Sequence, residues 1–273
     1  MSNKARKHSL CEKMPYIAVV LSMIISALFV GGGALLGENI SGDAGNIGIC
    51  IFAILAMLAF RLWFSPEFKG FVKPGCSAKD ICIVIIPLAV LEIFSLIEPL
   101  FLQSSFYFNP SLSAIIMGLA AGFGEETMFR IFSLAIVMRY VKKEKRFSVT
   151  IILAVIFGIF HAGNVTQGAD LIMTIVQVIH STFMAFLLTC LYLKTGSVIF
   201  PVFAHGLHDF ISFTTDPSLS GEGIITQQYG TEQLVYELVL VMIIGIASLH
   251  LLRKDKLSKA NRIWAEKWAN KEK

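Results

Sequence analysis

The residues best suited to chemistry lie where charge is least expected. The run Gly118-Leu-Ala-Ala-Gly122-Phe-Gly124-Glu125-Glu126-Thr-Met-Phe-Arg130 sets two adjacent carboxylates and a guanidinium inside an apolar block. Glu126 and Arg130 are four apart, so on a helix they share a face in the favourable acid-before-base order and can neutralise one another. Glu125 is left without a local partner, and an unpaired carboxylate in a low-dielectric cleft suits a general base. A structural ion pair that ties helices together is the competing reading, above all for Glu126 with Arg130. Further on, Phe157-Gly-Ile-Phe-His161 ends an apolar run with Phe157 and His161 stacked at helical spacing. On its own, His161 reads equally well as an interfacial or core residue. In His205-Gly-Leu-His208-Asp209, His205 and Asp209 share a face with His208 beside them. Imidazole and carboxylate so placed suit metal ligation, water activation or an oxyanion site, and His208 reads as a supporting partner.

The elements that must carry these groups are membrane spans. The chain has 273 residues, 55% apolar and 15% charged, where soluble domains are about half apolar and about a quarter charged. The apolar residues fall into eight blocks, Pro15 to Leu36, Ile47 to Phe64, Ile81 to Leu102, Ser111 to Tyr140, Ser148 to Gly163, Leu171 to Leu193, Ser197 to Phe213 and Gln233 to Leu252. A helix of about 20 such residues crosses a hydrocarbon core about 30 Å thick. The expectation is an all-α polytopic bundle of about eight transmembrane helices in a cell membrane. A basic tail (1–14) precedes the bundle (15–252), whose chemical core is 111–213, and a second basic tail (253–273) follows.

Charge supports this division. Counting Arg61 and Arg139 at the block ends with the connections they adjoin, every Lys and Arg except Arg130 falls in a tail or in the second, fourth and sixth connections, and the others hold none. By the positive-inside rule both termini are cytoplasmic. The basic start, with Lys4, Arg6, Lys7 and Lys13, followed by a block too long for a signal-peptide core, reads as a retained signal anchor. At about 1.5 Å of rise per residue, Glu125, His161, His205 and Asp209 all lie roughly 12 to 22 Å from the cytoplasmic ends of their helices. Three separate helices thus set their polar groups in one layer, and ionisable groups at such depth mark function by default.

Other classes fit less well. The net charge of +4 is too small and dispersed for a nucleic-acid surface. Cys11, Cys50, Cys76, Cys82 and Cys190 form no C-x-x-C pair and imply neither a disulfide framework nor a zinc finger. Glu92, Glu98, Gln177 and His180 are intramembrane polar groups outside any clear motif, although His180 could line the same cavity. Glu237 and His250 lie near helix ends. The C-terminal tail, with Trp264 and Trp268 among lysines, reads as an amphipathic helix on anionic lipid or as a solvated tail.

Taken together, Glu125-Glu126-Thr-Met-Phe-Arg130, Phe157-Gly-Ile-Phe-His161 and His205-Gly-Leu-His-Asp209 resemble the EExxxR, FxxxH and HxxxN/D motifs of the CPBP family. These are the CAAX-protease and bacteriocin-processing membrane proteins related to the Rce1-type prenyl protease. The resemblance implies a helical bundle that performs intramembrane endoproteolysis, with membrane lipid and a peptide or membrane-protein substrate as partners. It implies that Glu125 activates water with His161, that Glu126 and Arg130 support the geometry, and that His205 and Asp209 serve the oxyanion or a metal. On the metal reading, a divalent ion such as zinc takes Glu125, His161, His205 and Asp209; otherwise no cofactor is needed. Asp209 stands where the motif varies: Asn donates to an oxyanion, whereas Asp is the better metal ligand. Prenylation of the substrate comes from the family name alone.

Rivals are a bacteriocin-immunity or scaffold protein on the same fold, and a proton-coupled transporter, although no paired broken helices are evident. Other intramembrane proteases are disfavoured, since no His-Glu-x-x-His, Gly-x-Ser-x-Gly or Gly-x-Gly-Asp occurs.

Overall fold

A computed structural model describes residues 9–102, 107–215 and 230–269. The basic residues Lys4, Arg6, Lys7, Lys271 and Lys273 and the Asp216-Pro217 breaker lie outside them. A short α1 (Ser9–Lys13) precedes α2 (Pro15–Glu38), which opens on a proline whose missing N–H costs nothing at that position. The Ser41 hydroxyl accepts from Ala44 N–H at 3.1 Å to start α3 (Gly42–Phe64), and α4 (Ala78–Leu102) carries Pro87 and Pro99 inside it. Ser111 caps α5 (Leu112–Glu126) in the same manner. A single π-helical stretch, Thr127–Ile131, then links α5 to α6 (Phe132–Tyr140). After α7 (Lys143–Phe160) the chain tightens into a 3-10 turn, His161–Gln167, which ends at Gly168 with φ 96°. Asp170 caps α8 (Leu171–Thr195), and α9 (Ile199–Thr215), α10 (Thr231–Leu252) and α11 (Lys254–Lys267) follow.

Among the described residues, seven helical stretches are long and apolar enough to cross a membrane, with α5, the π stretch and α6 counting as one. The eighth expected span is α9, which has only 17 residues. At about 1.5 Å per residue it is roughly 25 Å long. It packs against α4, α5 and α8, and most of its residues are buried. A helix sheltered by neighbours need not match the bilayer's thickness.

The helices alternate in direction, and hydrogen bonds mark the two ends of the bundle. At one end Gly75 N–H donates to Thr195 O at 2.7 Å and Val198 N–H to Phe71 O at 3.0 Å; at the other, Asn109 N–H donates to Thr214 O at 2.9 Å. The first end carries the basic connections, and α11 docks beneath it. Trp264 and Trp268 are fully buried, their indole N–H groups donating to Leu193 O and Ala135 O. Lys267 Nζ donates to Gly70 O at 3.0 Å and to Lys73 O at 2.9 Å, while burial pulls its ammonium down to about 8. The C-terminal helix therefore neither floats in solvent nor lies on lipid through its tryptophans. Its apolar face is a lid on the protein, because both indoles find apolar neighbours and carbonyl acceptors there.

Phe132–Met138 of α6 and Met184–Thr195 of α8 are buried throughout, while an apolar groove of about 880 Å³ lies between α3, α5 and α9 and reaches the connection that holds Lys69 and Lys73. A second cavity is lined by residues of α4, α5, α7, α8, α9 and α10.

Candidate active site

Close backbone approach sets the site's frame. A Cβ at Gly118 would come within 2.6 Å of Gly206 O, one at Gly206 within 2.8 Å of Gly118 O, and one at Gly122 would collide with Val202 O. Glycine at these three positions lets α5 and α9 meet backbone to backbone, as small residues do in membrane bundles. The helix bearing Glu125 and Glu126 is thereby pressed on the helix bearing His205 and Asp209. On the other flank, Gly158 of α7 is packed against Val178 and Thr182 of α8, bringing His161 alongside.

The π stretch begins directly after Glu126. One extra residue in that turn does not prevent Arg130 from gripping Glu126 in a fork, Nε to Oε2 at 2.6 Å and Nη2 to Oε1. Both side chains are buried. The other face of the guanidinium lies 4.1 Å over the Phe157 ring, a cation–π contact in a dry site. Phe157 also sits edge-on to His161 and to His205, with centroids 5.0 and 6.0 Å away. The motif's Phe is thus a hub beneath both imidazoles.

Each imidazole is oriented through Nδ1. His161 Nδ1 is 3.0 Å from Phe157 O, and His205 Nδ1 is 2.8 Å from Glu126 Oε1. A carbonyl and a carboxylate held by arginine can only accept, so each Nδ1 carries the hydrogen. Both Nε2 atoms are left for the cavity. Glu125 Oε2 faces them, 3.9 Å from His161 Nε2 and 3.7 Å from His205 Nε2, and itself has no hydrogen-bond partner. Asp209 Oδ2 lies 3.8 Å from His205 Nε2. The structure brings Glu125, Glu126, Arg130, His161, His205 and Asp209 into one cluster, with Glu126 and Arg130 behind the cavity wall and the other four at its surface. Glu125 is 29% exposed and Glu126 not at all.

Two acceptors facing each other at 3.9 Å require a donor or a cation between them. A water bridges that distance with two ordinary hydrogen bonds. The donor chemistry of Glu125, His161, His205 and Asp209 also suits a divalent metal, with Nδ1-bound partners of the kind that orient metal-ligating histidines. Ligand atoms around tetrahedral zinc sit roughly 3.3 Å apart, so the side chains as placed are a few tenths of an ångström too open. Accordingly, no three His, Cys, Asp or Glu groups among the described residues form a ready metal site.

Comparison with known families bears on the same stretch. Residues 107–211 match the family of Rce1-like type II CAAX prenyl endopeptidases. The match bears out the resemblance read from the three motifs and encloses all six residues. The Rce1-like region runs from just before α5 almost to the end of α9 and leaves out α1 to α4, α10 and α11. At family level it supports a membrane endopeptidase of the CAAX type. No curated protein matches the chain.

The cavity beside the Rce1-like motifs holds about 180 Å³ and draws on more of the chain than they do. His180 and Glu237 line it, with His180 Nε2 3.8 Å from Glu237 Oε2. His208 stacks on His180 at 5.4 Å between centroids, and its Nδ1 is 3.5 Å from Glu92 Oε1. Gln177 lines it too, accepting from Asn164 at 2.8 Å, as does Glu98. The sequence marked Glu92, Glu98, Gln177 and His180 as intramembrane polar residues outside any clear motif, His208 as a supporting partner of its own motif and Glu237 as lying near a helix end. They come together from four different helices, and no spacing within one helix could reveal that.

Proposed function

We propose that the chain is an intramembrane endopeptidase in which Glu125 and His161 activate water against a peptide bond. The observation that carries this is the pair of facing acceptors, Glu125 Oε2 and His161 Nε2, 3.9 Å apart at the wall of a cavity that His205 and Asp209 also line. Water held between them donates one hydrogen to each. As the water oxygen bonds to the carbonyl carbon, its O–H bond breaks and the proton passes to Glu125 Oε2, which later delivers it to the departing amine. His205, its Nδ1–H fixed on Glu126, presents Nε2 to the carbonyl oxygen. In the protonated form it polarises that oxygen, with the carboxylates of Glu125 and Asp209 offsetting its charge.

A divalent metal such as zinc would be held by Glu125, His161 and His205, with Asp209 adjacent. When bound it supplies a Lewis acid for the carbonyl and a more acidic water. The substrate would be a peptide or membrane-protein segment, lipidated or not, that reaches this depth in the bilayer.

The test is turnover of an internally quenched peptide library by the purified protein in detergent. Glu125→Ala and His161→Ala should each lose about 10²-fold or more. Wild-type turnover in either variant overturns the reading.

A further inference from the structure

Helix α9 borders two concave surfaces. His205, His208 and Asp209 line the cavity of the candidate site, whereas Val202, Phe203 and Gly206 line the apolar groove of about 880 Å³ between α3, α5 and α9. Ile54 and Leu58 of α3 and Ile115 and Leu119 of α5 form its other walls, and these four and Phe203 are exposed. Along α9 the groove runs from Val198 to Phe210, about 18 Å at helical rise. That is close to one leaflet of a hydrocarbon core about 30 Å thick, so the walls have the length of a lipid acyl chain's environment.

Charge is confined to one end. Arg61, in the last turn of α3, and Lys69 and Lys73, in the connection that follows, are the charged residues of the lining. Arg61 lies across Gly70: a Cβ on that glycine, whose φ is 99°, would stand 3.5 Å from Arg61 Nε. The connection is held from beneath, since Gly70 O and Lys73 O accept from Lys267 Nζ and Val72 O accepts from the Ser197 hydroxyl. The three cations are therefore carried on a fixed backbone, which lowers the ordering cost of binding. Among the described residues no carboxylate pairs with Arg61, Lys69 or Lys73, whereas Lys259 is matched to Asp80.

From this match of an apolar channel with an unpaired basic rim, we propose that the groove binds one anionic glycerophospholipid of the leaflet nearest the tails. Its phosphate rests on Arg61, Lys69 and Lys73, and one acyl chain lies along α5 and α9. Basic pockets between spans hold acidic headgroups in this way, and the guanidinium of Arg61 offers the forked donor that phosphate favours. The chain lies against Val202 and Gly206, the stretch of α9 that meets Gly122 and Gly118 of α5. A bound lipid thus braces the contact that aligns Glu125 with His205. The lipid site does not depend on the peptidase reading.

The experiment is native mass spectrometry of the purified full chain in detergent, titrated with phosphatidylglycerol and with phosphatidylcholine of the same acyl chains. A cation near the membrane surface contributes about fivefold in affinity for acidic lipid, so the first phosphatidylglycerol should bind at least about 10-fold more tightly than phosphatidylcholine. The triple variant Arg61→Gln, Lys69→Gln, Lys73→Gln should lose that preference, and Lys142→Gln with Lys145→Gln, in a different basic connection, should keep it. Leu119→Trp, which puts bulk into the groove, should weaken phosphatidylglycerol binding without any change of charge. Free glycerol phosphate should not displace the lipid. Equal affinity for the two lipids, a preference that survives the triple variant or vanishes in the control, or unchanged binding by Leu119→Trp overturns the proposal. Displacement by glycerol phosphate overturns it as well, marking a site for phosphate alone.

Discussion

His205 Nδ1 and Arg130 Nη2 share one oxygen, Oε1 of Glu126. A carboxylate with no exposure thus holds a cation of its own helix and an imidazole 79 positions further along the chain. Glu126 supports the site without touching the cavity, while Glu125, one residue earlier, faces it.

That division separates the two glutamates experimentally. Glu125→Gln should leave the thermal midpoint near wild type and reduce turnover by about 10² to 10⁴. Glu126→Gln removes the charge that Arg130 and His205 both need, so it should cost about 3–5 kcal/mol of stability as well as activity. Chemical or thermal unfolding in detergent beside peptide turnover reads both, and equal stability losses for the two variants would contradict the assignment.

The α5–α9 contact should tolerate no side chain. Gly122→Ala places a methyl against Val202 O, and overpacking of this kind costs about 1–3 kcal/mol. Because the displaced helices carry Glu125 and His205, turnover should fall further than stability alone explains. Gly31→Ala is the control, since a methyl there would meet nothing within 4 Å. Comparing the two variants by unfolding and by turnover checks this.

Metal affinity should follow the four cavity groups. After chelation, Co²⁺ titrated into the protein and followed by its visible absorption should bind more weakly in His161→Ala and His205→Ala, with His180→Ala altered least. Loss of affinity equal in all three would place any metal elsewhere.

Docking of α11 should depend on pH through Lys267. Its ammonium titrates at about 8 because it is buried, against about 10.4 for a free lysine. Below about 8 the side chain is charged whether docked or released, and the full cost of desolvating the charge is present. Between the two values the released form binds more protons, so docking strengthens as pH rises. Hydrogen exchange of the α11 amides, corrected for intrinsic rates, should therefore slow relative to other helices between about pH 8 and about pH 10.

Much of the fold was legible in one dimension because a bilayer imposes length and polarity on each span separately. The α2, α3, α4, α8 and α10 blocks and the alternating basic connections needed no knowledge of neighbours. Glu126 with Arg130 was legible for the same reason, since helical backbone bonding sets which residues share a face. The sequence could not show how far α9 is sheltered by its neighbours, because hydropathy does not distinguish a helix shielded by protein from one bathed in lipid. It also left the tryptophans of α11 between solvent and lipid, when their partners were Leu193 O and Ala135 O.

The amino-acid order alone determined which groups lie at membrane depth and that three motifs resemble those of an intramembrane protease. Only tertiary structure decided that Glu125 faces His161 and His205 and that Glu92, His180, His208 and Glu237 join the same neighbourhood. The reason is physical: spacing along a helix is dictated by local hydrogen bonds, but the rotation of one helix against another is set by packing, here by glycine contacts between α5 and α9 and by the fully buried stretches of α6 and α8.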